Sequence, residues 1–98
     1  MKLKQNEIPD YVQASLWFAN PKVIDLKKEQ HQVITAILNR GVWDAVRWCY
    51  QFYGEEAIKA AVTSPQRGCW FPQALQFWLV FFALSLDKGS FNQAIFKL

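Results

Sequence analysis

Few side chains in this sequence combine the type and the spacing that chemistry needs. His31 is the single histidine and the one candidate general base, and Cys49 and Cys69 are the candidate thiol nucleophiles or metal ligands. The two cysteines stand twenty residues apart without a CxxC, and one imidazole does not complete a zinc site, so no metal is expected. No Ser or Cys is placed by spacing within hydrogen-bond reach of His31, which general-base activation would require, so His31 reads as a surface histidine. Of the eight carboxylates only Glu55 and Glu56 are adjacent. They read as acids favouring a helix start rather than as an acid/base pair. The glycines at 41, 54, 68 and 89 are isolated, so no loop can cradle a phosphate with its backbone. The reading is a non-catalytic protein with no cofactor.

Residues suited to recognition are easier to find. Arg40, Asp44 and Arg47 follow one another at helical spacing, and Trp43 and Trp48 are interleaved with them. The simple interpretation is a surface ion pair contributing a few tenths of a kcal/mol. The sharper one is an interface patch formed by Trp43, Asp44, Arg47 and Trp48, because Trp and Arg tend to carry binding energy. Arg67 and Trp70, in the segment before the last long apolar run, are the second candidates for partner contact.

Nucleic acid is a weaker fit. The formal charge is +3, but the eleven basic residues are scattered and only Lys27 and Lys28 are adjacent, which describes a solvated surface rather than a phosphate-binding stripe. A helix-turn-helix around Arg40-Gly41 has a suitable turn, yet the helix after it offers only Arg47 and Gln51 to base edges.

The elements that must position these residues are helices. Apolar residues recur at three and four rather than two, and no Asn-Gly or Asp-Gly hairpin signal is present, which predicts an all-α single domain of five or six short helices. With 52% hydrophobic residues and five Trp, eight Phe and three Tyr, the chain has the composition of a packed core and not of disorder. A first helix opens at Ile8-Pro9-Asp10, carries Tyr11, Val12, Leu16 and Phe18, and stops at Asn20-Pro21. Asp25 is the expected N-cap of a second helix that buries Val33, Ile34, Ile37 and Leu38 and ends at Gly41. A third covers Val42 to Tyr53 and stops at Gly54. A fourth, Glu55 to Thr63, turns Ile58, Ala61 and Val62 inward. A fifth runs from Pro72 to Leu86, and Ser90 caps a last helix that lies back on the core. Residues 1–7 are expected to be flexible, and residues 87–98 form the C-terminal helix.

The 19 residues from Gly68 to Leu86 contain no charge and raise the question of a membrane. Pro72 cannot sit inside a helix that starts at Gly68. A helix from Pro72 to Leu86 is about 22 Å long at 1.5 Å per residue, against a hydrocarbon layer of about 30 Å. No polar face supports lying flat on a bilayer either. The run therefore reads as the most deeply surrounded helix of the domain. Without an apolar leader at the N-terminus, export is not expected, and the two cysteines read as free thiols in a reducing cytoplasm.

Leu16-Trp17-Phe18, Asn39-Arg40-Gly41, Asp44, Arg47-Trp48, Tyr53-Gly54, Ile58 and Phe77-Trp78-Leu79 together resemble a family of small, uncharacterised bacterial helical proteins. That family carries an arginine-glycine turn, a tryptophan helix, a Tyr-Gly stop and a late Phe-Trp helix. The resemblance runs over about residues 15 to 84. The loop Pro65 to Phe71 and the tail Asp87 to Leu98 depart from the pattern. Genes of the family often lie near nucleotidyltransferase toxins of the abortive-infection type, so the resemblance implies an antitoxin-like protein partner. Two alternatives stay open on the sequence: a nucleic-acid-binding transcriptional regulator, and a structural protein that forms a homodimer through its aromatic face.

Overall fold

The computed structural model describes residues 8–14, 25–40 and 42–96. Among them the helices are α1 (Asp10–Gln13), α2 (Gln30–Arg40), α3 (Trp43–Tyr53), α4 (Glu55–Thr63), α5 (Pro72–Phe81) and α6 (Lys88–Ala94). No strand forms among the described residues beyond an isolated parallel bridge between Trp70 and Ile95, so the all-α expectation holds. The expectations for residues 1–7, for Leu16, Phe18 and Asn20-Pro21, and for Gly41 as a terminator lie outside the described residues.

Local chemistry accounts for most helix ends. Asp25 caps as expected: its Oδ1 accepts from the backbone N–H of Lys27 and Lys28 at 3.1 and 3.0 Å, and Glu29 Oε2 accepts from the Asp25 N–H at 2.9 Å. The donor from Lys28 is the main reason the Asp25 carboxyl lies below its ordinary pKa. What Asp25 caps, however, is a single turn over 26–29, and regular helix begins only at Gln30. Gly54, with φ +90, separates α3 from α4, a backbone region that side chains with a Cβ rarely enter. At α6 the cap is Asp87 and not Ser90. Asp87 Oδ2 accepts from the Ser90 N–H at 3.1 Å, and the Ser90 hydroxyl donates to Oδ1 at 2.6 Å. The hydroxyl bond, followed by the backbone one, lowers the Asp87 pKa. Ser90 is thus the N3-position partner of a cap three residues upstream.

The core is built around α2. Six consecutive residues, Val33 to Leu38, are buried, and α2 packs against α3, α4 and α5. Ala45, Val46 and Cys49 from α3, Ile58, Ala61 and Val62 from α4, Leu75, Trp78 and Leu79 from α5, and Ala94 from α6 join it, together with Ile8, Val12, Leu26 and Trp70. In the C-terminal segment, expected to be helical over 87–98, regular helix covers only Lys88–Ala94, with Ile95 already extended; Ala94 is buried in the core with Phe91 packed against it. Three side chains, making four hydrogen bonds, tie distant segments to this centre. Trp78 Nε1–H donates to the Leu38 carbonyl at 3.1 Å, satisfying one of the last carbonyls of α2 that the helix itself leaves without a partner. Tyr53 O–H donates to the Leu26 carbonyl at 2.6 Å. Asn39 holds the loop before α5 at both ends of its amide, donating to the Cys69 carbonyl at 2.8 Å and accepting from the Phe71 N–H at 3.1 Å.

The fifth helix corrects the sequence reading twice. It ends at Phe81 rather than Leu86, because the chain closes a Schellman turn: Ala83 N–H donates to the Val80 carbonyl at 3.1 Å and Leu84 N–H to the Leu79 carbonyl at 2.8 Å. Ala83 takes the left-handed position, at φ +55. Nor is the helix surrounded. Phe77, Val80 and Phe81 face outward at 52%, 68% and 50% exposure. No helix among the described residues is long and apolar enough to cross a membrane.

Candidate functional site

The four residues expected to form a patch on α3 separate into two environments. Trp43, in the first turn, is 58% exposed, and Val42 before it is exposed as well. Asp44 and Arg47 form the ion pair read from their spacing, Oδ1 to Nη1 at 3.7 Å, with both side chains largely in water. At that exposure its contribution to stability is small. Trp48 turns the other way. Its indole stacks on Phe52 with ring centroids 5.0 Å apart and meets Tyr53 edge-on at 6.2 Å, and it packs half-buried against the core. Trp43 is therefore available to a partner, whereas much of Trp48 is committed to the aromatic cluster of its own helix.

Of the second pair, Arg67 is exposed on the loop, but Trp70 is not a contact residue. It is fully buried, at 0% exposure. The reason lies in the backbone: Gly68 N–H donates to the Gln93 carbonyl, Trp70 N–H to the Ala94 carbonyl, and Phe96 N–H to the Trp70 carbonyl, at 2.8, 2.8 and 2.7 Å. These bonds pin the loop 68–70 along the C-terminal segment and place the Trp70 ring inside the core. The Trp70 indole N–H has no acceptor there, so its burial is won against the cost of a lost hydrogen bond. The loop before α5 and the C-terminal segment are thus bonded to each other.

The surface that sequence reasoning missed is the outer side of α5. Phe77, Val80 and Phe81 stand at i, i+3 and i+4, and the Phe77 and Phe81 rings stack at 5.9 Å. The signal was present, in that an uncharged helix has more apolar faces than one layer of neighbours can cover.

The groups considered for chemistry are dispersed. Cys49 is buried, which pushes its thiol up to about 12, while Cys69 is exposed, and both are free. His31 is partly buried rather than a surface histidine, and its Nε2 is enclosed without a hydrogen-bond partner. Among the described residues no three His, Cys, Asp or Glu side chains converge as metal ligands would. Tyr53 is raised above the ordinary tyrosine range, first by burial and then by the neighbouring Cys49.

No curated protein and no solved structure matches the chain significantly. A family of unknown function, DUF6922, matches residues 13–62, just over half of the chain. The match takes in α2 and α3 and stops within α4, so Phe77-Trp78-Leu79 and the paired loop and tail lie beyond it. On that match, the chain belongs to the DUF6922 family.

Proposed function

We propose that the protein works by binding another protein in the cytoplasm, as the antitoxin-like partner of a nucleotidyltransferase toxin. The observation that carries the binding reading is the outer face of α5, where three large apolar side chains face water without a charge on the helix. Contiguous apolar surface of this kind marks interaction sites in soluble domains. Exposed Trp43 adds a second aromatic of the sort that anchors interfaces. The resemblance described above supplies the kind of partner.

Co-expression with an abortive-infection nucleotidyltransferase toxin tests this. The expected result is rescue of growth and a complex that co-elutes on a sizing column. Val80→Lys should abolish both while leaving the melting temperature unchanged, because Val80 is the most exposed of the three residues and lysine suits the last turn of a helix. Wild-type chain that neither rescues nor co-elutes would sink the toxin reading. A concentration-dependent dimer that Val80→Lys dissolves would assign the same face to self-association instead.

A further inference from the structure

At the end of α5 the local chain and the fold pull in opposite directions. Phe82-Ala83-Leu84-Ser85-Leu86 is rich in Ala and Leu, the strongest helix formers, and no Gly or Pro stands between Pro72 and Gly89. Yet α5 stops at Phe81, and Ala83 takes a left-handed conformation at φ +55, in which its Cβ crowds the carbonyl oxygen that follows. Among the described residues Ala83 is the one non-glycine with a positive φ.

What imposes this turn lies beyond it. The segment 88–96 returns to the start of α5, where the Gln93 and Ala94 carbonyls accept from the Gly68 and Trp70 N–H groups and the Phe96 N–H donates to the Trp70 carbonyl. Ala94 is buried and Phe91 packs beside it, but among the described residues α6 makes no extensive contact with another helix. An element held by so few contacts opens before the rest of a domain does.

Continuing α5 through Leu86 removes the strain at Ala83 and breaks the return. One helix from Pro72 to Leu86 is about 22 Å long, whereas the seven residues of α6 span only about 10 Å. A C-terminal arm that keeps α6 then cannot bring Ile95 back to its own Trp70. It can reach the same loop of a second copy, where each of its bonds re-forms because the sequence is the same.

We propose that the protein forms a domain-swapped dimer, in which α5 continues through Leu86 and the segment 88–96 of each copy docks on the loop 68–70 of the other. A second copy is the occupant because arm and loop are already matched in register, with Trp70 opposite Ile95. Ala83 is the hinge, and the dimer replaces two strained turns by helix. The exchange rests on the arm and the hinge and not on the toxin reading, so either proposal can fail without the other.

Phe71 and Phe96 face each other across the bridge, with ring centroids 6.4 Å apart, so a disulfide between these positions reports whose arm lies on whose loop. In a Cys69→Ser background, which removes the exposed thiol and leaves Cys49 buried, one chain carries Phe71→Cys and another Phe96→Cys. The two are unfolded in urea, refolded together at high concentration, oxidised with glutathione disulfide and run on a non-reducing gel. A covalent heterodimer should far exceed the dimers that either variant forms alone. Ala83→Gly in both chains should lower its yield about fivefold or more, since glycine takes the left-handed turn without strain at each of the two hinges. Val80→Lys, which alters only the α5 face, should leave the yield unchanged. On a sizing column the unsubstituted chain, refolded at the same concentration, should show a dimer that Ala83→Gly diminishes in proportion. Three results would each overturn the proposal: monomer alone on the column, a heterodimer no more abundant than the dimers of the single variants, or a dimer indifferent to Ala83→Gly.

Discussion

The second and fifth helices reverse what their compositions suggest. α2 carries Gln30, His31, Gln32, Thr35, Asn39 and Arg40, yet it holds the longest buried run, Val33 to Leu38. α5 has no charged residue and only Gln73 and Gln76 as polar ones, yet it buries Leu75, Trp78 and Leu79 and leaves Phe77, Val80 and Phe81 in water. Burial is decided by how many neighbours an element has, and hydrophobicity only permits it. α2 is packed by three helices, whereas the contacts of α5 lie with α2 and α4. A helix at the edge of a small domain cannot be enclosed whatever its sequence, because 98 residues supply too few layers.

The contrast can be broken most directly by truncating one apolar side chain on each helix. Ile37→Ala, at a fully buried site, should cost about 3–4 kcal/mol, while Val80→Ala should change stability by less than about 0.5 kcal/mol. Urea unfolding of the two variants measures both. Comparable losses would mean that the outer face of α5 is covered in solution.

A smaller effect probes the buried side through pH. Burial pushes the Cys49 thiol from its ordinary 9.0 up to about 12, and Tyr53 is raised as well. Well below pH 9 both states hold these protons and stability is full. As pH rises further, the unfolded chain releases protons that the folded one retains, so stability falls. The loss attributable to Cys49 should be about 1 kcal/mol between pH 9 and pH 10, with Tyr53 adding to it at higher pH. Urea midpoints at pH 8, 9 and 10 check the slope, and a flat profile would argue against a dry environment around α3.

The smallest expected effect concerns the end of α5. Ala83 holds a left-handed conformation with an exposed side chain, a position that glycine fills without the Cβ clash. Ala83→Gly should stabilise the domain by about 0.5–1 kcal/mol. A loss of stability would mean that the turn does not persist in solution.

Much of this architecture was legible in the residues. Glu55 to Thr63 forms a helix with Ile58, Ala61 and Val62 inward and a Glu55–Lys59 ion pair at 3.7 Å, as the spacing requires. The third helix differs from its expected start by one residue, at Trp43. Both segments have strong local signals: a three-to-four apolar period, a glycine at the junction and acids in the first turn. The errors fall where the deciding partner is remote. Nothing local stops a helix at Phe81, since the residue in the left-handed position is Ala83 and not glycine. Asp87 and Ser90 are both good capping residues, and geometry alone selects Asp87. Trp70 follows exposed Cys69 and reads as a loop residue, until the Gln93, Ala94 and Phe96 backbone is found bonded along it.

The sequence by itself therefore determined the helical class, the turns at Asp25 and Gly54, the inward faces of α2 and α4, and the ion pair between Asp44 and Arg47. Periodicity, capping and i,i+3 spacing act over one or two turns, and the local chain contains everything they need. Only the tertiary structure decided that α2 is the centre and α5 the edge, that Trp70 is core while Phe77, Val80 and Phe81 face water, and that the chain turns at Ala83 to lay its C-terminal segment along the loop at Trp70. Those outcomes depend on which segments meet across tens of residues, and an apolar side chain is the same in the sequence whether a neighbour covers it or not.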